Sequence, residues 1–297
     1  MAAPQLLFCV GATKAGTTWL YRYLHDHPDC AMPAVKEAHY WDTFDADDRE
    51  KQQTAFRVRL REMRAQKRRA IDAGRRWQAD NMDRRINEMK SLVATLDGPR
   101  VDDSAYLDWL MQGRGEAQLV ADMTPNYATL DDATLERMRD AAPDSKFILL
   151  IRDPLDRLWS HIRMQARRQR QEHEKYEKKS NNILYRILNR GQETHILERG
   201  DYPKIIRKLR RVIPEGRLLI AFFEDLLTAD GLAKVCTFLG IKPLPAKVDT
   251  PVHQGQEVVM LDKLRPRALG LLNEQYEWVA RNVGPLPQRW RDNLARV

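Results

Sequence analysis

The segment from Gly11 to Trp19 has the residue types and spacing of a loop that binds a phosphate group. Gly11 and Gly16 permit tight backbone turns, and the helical pattern that follows would point its first backbone amides at an oxyanion. The positive end of the helix dipole and the ammonium group of Lys14 would add charge to this cradle. The segment therefore predicts a phosphate site formed by Lys14, Ala15, Gly16, Thr17 and Thr18.

The position of the lysine distinguishes this loop from the one that binds magnesium nucleoside triphosphates. In that motif a lysine follows the second glycine directly and precedes Ser or Thr. Here Lys14 lies before Gly16, and Thr17 takes the place of that lysine. The spacing therefore argues against a magnesium-dependent kinase, which we keep as an alternative.

A second candidate anion site begins at Arg152, directly after an apolar run. A guanidinium at the end of a buried strand needs an anion, and its planar fork suits phosphate, although an ordinary ion pair would also explain it. Asp153 and Pro154 are typical of the N-cap and first residue of a helix. A polar face of that helix, at spacings of three, would carry Arg157, Ser160 and Arg163. Together the two sites predict a ligand with two phosphate-like groups.

Short apolar runs rich in β-branched residues alternate with segments of helical periodicity along the chain. The runs are Leu6–Val10, Gln118–Ala121, Lys146–Ile151 and Arg217–Phe223. This alternation predicts an α/β fold with a central parallel sheet flanked by helices, in the three-layer arrangement of P-loop proteins. Ligands of such folds bind at the carboxyl ends of the strands, where both candidate anion sites would lie.

An Arg-rich stretch interrupts this alternation from residue 49 to about residue 96. It holds fourteen Lys or Arg and six Asp or Glu up to Lys90, and Gly74 is its one helix breaker. We interpret it as a helical insertion in a single domain that spans residues 1–297. With two further basic helices and a net charge of +8, it favours an anionic ligand or partner, and a nucleic-acid-binding protein is the second alternative.

Several classes of protein are disfavoured by the composition. No apolar run approaches the ~20 residues needed to cross a bilayer, and Leu6–Val10 is too short for the core of a signal peptide. Cys9, Cys30 and Cys236 are too widely spaced for a zinc site and suit a reducing compartment. We therefore expect a soluble cytoplasmic protein without a transmembrane segment.

These motifs resemble the sulfotransferases that use 3′-phosphoadenosine 5′-phosphosulfate (PAPS). The family's 5′-phosphosulfate loop is similar to Lys14–Trp19, and its 3′-phosphate strand and helix are similar to Arg152–Pro154 with Arg157 and Ser160. The similarity extends to Leu24 with His27 and Pro28, Lys36–Trp41, Thr124–Tyr127, and Phe223–Leu226 with Phe238–Gly240. The segment Lys36–Trp41 is most similar to the heparan-type glucosaminyl sulfotransferases and their bacterial relatives.

The resemblance implies an in-line transfer of a sulfuryl group from PAPS to an acceptor hydroxyl or amine, without a metal. Adenosine 3′,5′-bisphosphate would be the second product. Lys14 and the amides of Gly16–Thr18 would then stabilise the transferred group, and Arg152 and Ser160 would bind the 3′-phosphate. The resemblance assigns the general base to Glu37, and His39 is the competing base because an imidazole titrates near neutral pH.

Other residues take less specific roles from the resemblance. Trp19 would either stack on adenine or pack in the core. Lys36, His39, Thr124, Pro125 and Tyr127 would line the acceptor side. We expect a carbohydrate acceptor, partly because Tyr40, Trp41 and Tyr127 could stack on a sugar. A small-molecule acceptor is the broader expectation, no nucleic acid is expected, and the sequence predicts no oligomeric state.

Two features depart from the heparan-type pattern. Met123 replaces a lysine that usually precedes the Ser/Thr-Pro step, so one cation near the transferred group is missing. A basic, glycine-containing loop near the C-terminus usually closes over the 3′-phosphate. The chain offers only His253–Gly255 and Lys263–Arg267 as candidates for it.

Overall fold

The structure is a computed structural model that describes residues 4–246 and 258–296. Its centre is a parallel sheet with the strand order β2-β3-β1-β4-β5. The strands are β1 (Gln5–Gly11), β2 (Cys30–Ala31), β3 (Leu119–Asp122), β4 (Lys146–Ile151) and β5 (Leu218–Phe222). Every residue of β3 and all but the first residue of β4 are buried, as expected for a parallel sheet covered on both faces. The predicted α/β fold class is confirmed.

The predicted strands agree with the structure to within two residues at each end. β4 has the predicted bounds, and β1 extends the predicted run by one residue at each end. β2 was not predicted, because a two-residue strand is too short to show a periodic pattern.

Helices occupy most of the remaining described chain. They are α1 (Thr17–His25), α2 (Ala46–Asp72), α3 (Arg76–Asp97), α4 (Ser104–Met111), α5 (Asp132–Asp140), α6 (Pro154–Gln169), α7 (Tyr176–Arg190), α8 (Thr194–Glu198), α9 (Tyr202–Val212), α10 (Phe223–Leu226), α11 (Ala229–Leu239), α12 (Arg265–Asn282) and α13 (Gln288–Ala295). Short 3-10 helices span Pro125–Thr129, Glu215–Arg217 and Asp262–Leu264. Within residues 4–246 and 258–296, no helix combines the length and the apolar character that crossing a membrane requires.

The Arg-rich stretch forms an antiparallel helical hairpin of α2 and α3. The Asp45 carboxylate caps α2 by accepting the amides of Asp47 and Asp48 at 2.8 and 3.3 Å. Gly74, with a φ of +68°, allows the turn between the two helices. Each helix buries one apolar stripe, formed by Phe56, Leu60 and Met63 on α2 and by Ile86, Met89 and Leu92 on α3. The other faces are exposed, which explains how a helix pair so rich in charge can fold.

The chain order around β1 creates a crevice at the carboxyl edge of the sheet. After β1 the chain moves toward β2, whereas after β4 it moves toward β5 on the opposite side. The segments that follow β1 and β4 therefore diverge. Such a switch point is where open α/β sheets bind ligands, and it places the Gly11–Trp19 loop beside Arg152.

Candidate active site

The loop between β1 and α1 presents open backbone donors. Gly16 is the N-cap of α1 with a φ of +92°, and Lys14 also has a positive φ of 70°. The carbonyl oxygen of Gly16 accepts the amides of Trp19 and Leu20. Within the part of the chain that the structure describes, the amides of Gly16, Thr17 and Thr18 donate to no acceptor. These amides and the helix dipole make the loop suitable for an oxyanion.

Position 16 also requires glycine because the loop packs against Phe223, the residue directly after β5. A Cβ atom at Gly16 would lie 2.0 Å from the Cδ2 atom of Phe223. Any side chain at position 16 would therefore push the loop away from this ring. Packing and backbone conformation together explain the glycine.

Lys14 lies among other cations. Burial lowers the pKa of Lys14, and the positive charges of Arg152, Arg163, Arg168 and Lys36 lower it further, in that order. No carboxylate of residues 4–246 or 258–296 pairs with its ammonium group within 4 Å. Positive charge concentrated around an ammonium group that has no acidic partner of its own favours the binding of a multiply charged anion.

Arg152 lies at the end of β4, as predicted, with a side chain that is 29% exposed. One guanidinium nitrogen is 3.9 Å from an Asp156 oxygen, and the group lies 5.8 Å from the centre of the Phe223 ring. The Asp153 carboxylate accepts the Asp156 amide at 2.8 Å, which confirms the predicted N-cap of α6. The hydroxyl group of Ser160 is partly exposed on the same helix.

Arg157 does not share the polar face predicted for it. Its side chain is buried and donates to the carbonyl oxygen of Ile196 at 3.0 Å. The backbone of Gly200 packs directly on the guanidinium, because a Cβ atom there would be 2.1 Å from the Arg157 Cζ atom. Arg157 therefore anchors α8 to α6 and is turned away from solvent, which corrects the sequence prediction.

The segment that follows β2 carries a row of alternating charges, which we call the charge row: Lys36, Glu37, His39 and Asp42. The Lys36 ammonium donates to Glu37 Oε1 at 2.9 Å and to Thr17 Oγ1 at 3.1 Å, so it links this segment to the start of α1. His39 Nε2 is 3.6 Å from Glu37 Oε2, and His39 Nδ1 is 2.8 Å from Asp42 Oδ2. The Glu37 side chain remains 40% exposed, so an acceptor could reach it.

The charge row fixes the protonation of its two central groups. Burial would raise the pKa of Glu37, but the hydrogen bond from His39 and the charge of Lys36 outweigh it and lower the pKa to about 2. Burial would lower the pKa of His39, but its hydrogen bonds to Asp42 and Glu37 raise it to about 9. At neutral pH, Glu37 is a carboxylate and His39 is an imidazolium.

The last residue of β3 and the segment that follows it hold the charge row in place through hydrogen bonds. Asp122 is buried and accepts hydroxyl hydrogens from Thr124, Tyr127 and Tyr106 at 2.6 to 2.8 Å. The Tyr127 oxygen accepts the Tyr40 amide at 3.0 Å. Thr124 accepts the His39 amide at 3.4 Å, and the Met123 amide donates to the Lys36 carbonyl at 3.3 Å. These bonds hold the charge row against the end of β3.

This arrangement corrects part of the predicted acceptor side. Thr124, Pro125 and Tyr127 are buried, and the hydroxyls of Thr124 and Tyr127 are committed to Asp122. Tyr40 and Trp41 are 2% and 1% exposed. These side chains position the segment behind the site, and the predicted stacking of a sugar on Tyr40, Trp41 or Tyr127 is wrong. Lys36 and His39 remain partly exposed at the site.

Trp19 is almost entirely buried. Only 8% of the residue is exposed, and its ring stacks on Tyr23 at 6.0 Å between centroids. Of the two expectations, this contact corresponds to core packing.

Of the two C-terminal candidates for the loop that closes over the 3′-phosphate, the structure describes only Lys263–Arg267. His253–Gly255 lies outside the described residues. Arg265 and Arg267 lie at the start of α12, where Arg265 donates to Asn293 and Arg267 donates to Asn189. These two arginines are therefore already bonded within the fold.

The structure adds residues that the sequence reasoning missed. Asp42 orients His39, and its spacing of three residues from His39 was the available signal. Asp122 at the end of β3 organises the supporting hydroxyls. Burial lowers the pKa of Arg199, which directly follows α8, and the negative charges of Asp42 and Glu37 are among those that raise it. No sequence pattern indicated Arg199.

Asp42→Asn should bring the pKa of His39 down from about 9 toward its ordinary value near 6.5. Protonated His39 stabilises the folded state, and this contribution is complete below about pH 6.5 and is lost as pH rises through about 9. In the variant the loss should occur at lower pH. NMR titration of the imidazole, with thermal unfolding at several pH values, measures both. An unchanged titration midpoint would contradict the role of Asp42.

Comparison with solved structures finds three sulfotransferases that are similar to this chain. A sulfotransferase from Alicyclobacillus acidocaldarius has a TM-score of 0.61 and 21% identity, covering 98% of this chain and 100% of that chain. The sulfotransferase domain from the curacin biosynthetic pathway has a TM-score of 0.45 and 16% identity, covering 100% and 98%. The sulfotransferase domain from the Synechococcus PCC 7002 olefin synthase has a TM-score of 0.49 and 18% identity, covering 93% and 96%. The first of these similarities confirms the predicted P-loop-like architecture.

The sequence itself carries the family assignment. No curated protein matches the chain. The sequence model of the sulfotransferase family matches residues 4–245, which include β1 to β5 and all of the candidate site described above. The chain therefore belongs to the sulfotransferase family.

Proposed function

We propose that this protein transfers a sulfuryl group from PAPS to a hydroxyl or amine acceptor. The observation that carries the proposal is the pair of anion sites at the switch point of the sheet. One is the Lys14 loop with its open amides, and the other is Arg152 with Ser160 on α6. Their cations, hydroxyl group and open backbone amides fit a nucleotide that carries a phosphate group at each end.

On the donor side, the loop residues act on the group that leaves. PAPS supplies an activated sulfuryl group on its 5′-phosphate. Lys14 and the amides of Gly16, Thr17 and Thr18 would stabilise charge that develops there, because preorganised donors act most strongly in a site shielded from water. Arg152 and Ser160 would bind the second phosphate and hold the nucleotide in register.

On the acceptor side, Glu37 is the group that can take a proton. His39 is doubly protonated at neutral pH and donates to Glu37 and Asp42, so it orients the carboxylate rather than acting as a base. A carboxylate with a pKa of about 2 is a weak base while it is paired with His39 and Lys36. Movement of the Lys36 ammonium from Glu37 toward the bound anion would raise the basicity of Glu37 when the donor is in place.

The acceptor is proposed to be a carbohydrate of the kind sulfated by heparan-type enzymes. With sugar stacking excluded for the buried aromatic residues, this proposal is supported by the Lys36–Trp41 segment alone. Whether oxygen or nitrogen is sulfated depends on the acceptor, since one carboxylate can serve both. The buried or partly buried free thiols Cys9, Cys30 and Cys236 suit the cytoplasm as the proposed compartment.

Calorimetric titration with adenosine 3′,5′-bisphosphate in the presence of EDTA tests the donor site. We expect micromolar or tighter binding, weakened by Arg152→Ala and unaffected by Arg22→Ala, an exposed arginine at the end of α1. A parallel titration with magnesium and ATP should show much weaker binding. Absence of bisphosphate binding, or a preference for magnesium-ATP, would overturn the proposal and favour a kinase.

A further inference from the structure

The end of the helical hairpin exposes apolar side chains that the proposed chemistry does not use. We define the hairpin tip as residues 68–77, which join α2 to α3. Trp77 is 68% exposed in the first turn of α3, and Ile71 is 53% exposed in the last turn of α2. The turn between them is closed by the Gly74 amide donating to Ile71 and the Arg75 amide donating to Ala70. Both apolar side chains therefore lie at the same end of the hairpin.

The hairpin tip is also strongly basic. It holds four arginines and a single carboxylate, Asp72. All four arginines are exposed, and in the described chain none lies within 4 Å of a carboxylate. Two ion pairs between the helices, Lys67 with Asp83 at 2.6 Å and Arg57 with Asp97 at 3.7 Å, lie nearer the base of the hairpin. The arginines are Arg68, Arg69, Arg75 and Arg76.

The hairpin tip lies far from the candidate active site. Phe56, in the first half of α2, packs near His39 with 6.3 Å between ring centroids. Ile71 is fifteen residues further along the same helix, and a rise of 1.5 Å per residue separates the two positions by about 22 Å along the axis. The hairpin tip is thus a separate surface, and the need to bind the nucleotide does not explain it.

We propose that the hairpin tip docks on a bilayer surface rich in anionic phospholipids. Tryptophan and isoleucine would enter the interfacial region, and the arginines would contact lipid phosphates. An apolar contribution together with a basic one is what reversible membrane attachment requires. A nucleic acid would use the same arginines but would leave Ile71 in water, so the exposed aliphatic side chain favours the bilayer.

Sedimentation of the full chain with vesicles tests this surface. We expect binding to vesicles of phosphatidylglycerol and phosphatidylcholine, and little binding to phosphatidylcholine alone. Ile71→Ser combined with Trp77→Ser should weaken binding about tenfold, and Arg75→Gln combined with Arg76→Gln should do so to a similar extent. Brominated lipids should quench tryptophan emission, and Trp77→Phe should abolish that quenching while largely preserving binding.

Matched variants control for apolar area and for charge. Val101→Ser removes another exposed aliphatic side chain, and Arg22→Gln combined with Arg190→Gln removes two exposed arginines elsewhere. These variants should bind vesicles as the wild type does. Equal losses in the control and tip variants, or no binding to anionic vesicles at low salt, would overturn the proposal. Tip-dependent binding of a DNA duplex without vesicle binding would also overturn it and assign a nucleic acid instead.

Discussion

Glu37→Gln should lower the turnover number for sulfuryl transfer by about 10²–10⁴-fold, the usual contribution of a general base. The amide is nearly the same size as the carboxylate, can still accept a hydrogen bond from Lys36 and would lie equally close to His39. It cannot take the acceptor proton. Affinity for adenosine 3′,5′-bisphosphate should stay near the wild-type value. Steady-state kinetics with an identified acceptor, beside calorimetry with the bisphosphate, measures both quantities.

Glu198→Gln is the matched control for this variant. Glu198 is an exposed carboxylate next to Arg199, and it contacts neither Lys36 nor His39 in the described chain. It should leave turnover unchanged. Full activity of Glu37→Gln would remove Glu37 from the mechanism, and a larger loss in His39→Gln with activity retained in Glu37→Gln would move the base to His39.

Lys14→Ala should have the second large effect, because it should lower both the affinity for adenosine 3′,5′-bisphosphate and the turnover number. Hydrogen bonds to charged groups contribute about 1.5–3 kcal/mol, which corresponds to a loss of bisphosphate affinity of roughly 10- to 100-fold. Loss of a preorganised cation at the leaving group should lower turnover by about 10²–10³-fold more. The comparison with Glu37→Gln is informative because only Lys14→Ala should weaken product binding.

Lys146→Ala provides the control for removing a lysine. Lys146 lies at the opposite end of the sheet, at the start of β4, and its ammonium donates to the carbonyl of Gly216. Calorimetry should show wild-type bisphosphate affinity for this variant. If Lys14→Ala also bound the bisphosphate normally, the loop after β1 would not be the 5′-phosphate site.

The sheet was readable from the sequence because its strands are buried on both faces. In a chain this polar, a run of five apolar residues such as the one within Lys146–Ile151 indicates a strand that is buried on both faces. The order of the strands, in which β1 and β4 are neighbours, was not predicted, because parallel connections alone allow several orders. Cys30–Ala31 escaped prediction because its pairing with β3 depends on the neighbouring strand rather than on its own residues.

The candidate site was readable only where residues follow a strand directly. Lys14 and Arg152 lie at the predicted edge because each is tied to the end of a strand. Arg157 could not be placed in the same way, because its burial depends on its contact with Ile196 in α8, 39 residues further on. Likewise, the burial of Tyr127 depends on its contacts with Asp122 and Tyr40, which no spacing along the chain reveals.

Phe223 acts as a spacer between the two proposed anion sites. Its ring excludes a side chain at Gly16, and the guanidinium of Arg152 lies 5.8 Å from its centre. The residue directly after β5 thus lies close both to the loop that follows β1 and to the arginine that follows β4, although it contributes no charge. Selectivity for the length of the nucleotide would then reside partly in an apolar residue. A smaller or larger side chain at position 223 would change the selectivity for ligands according to the distance between their phosphate groups. Every charged group of the site would stay the same.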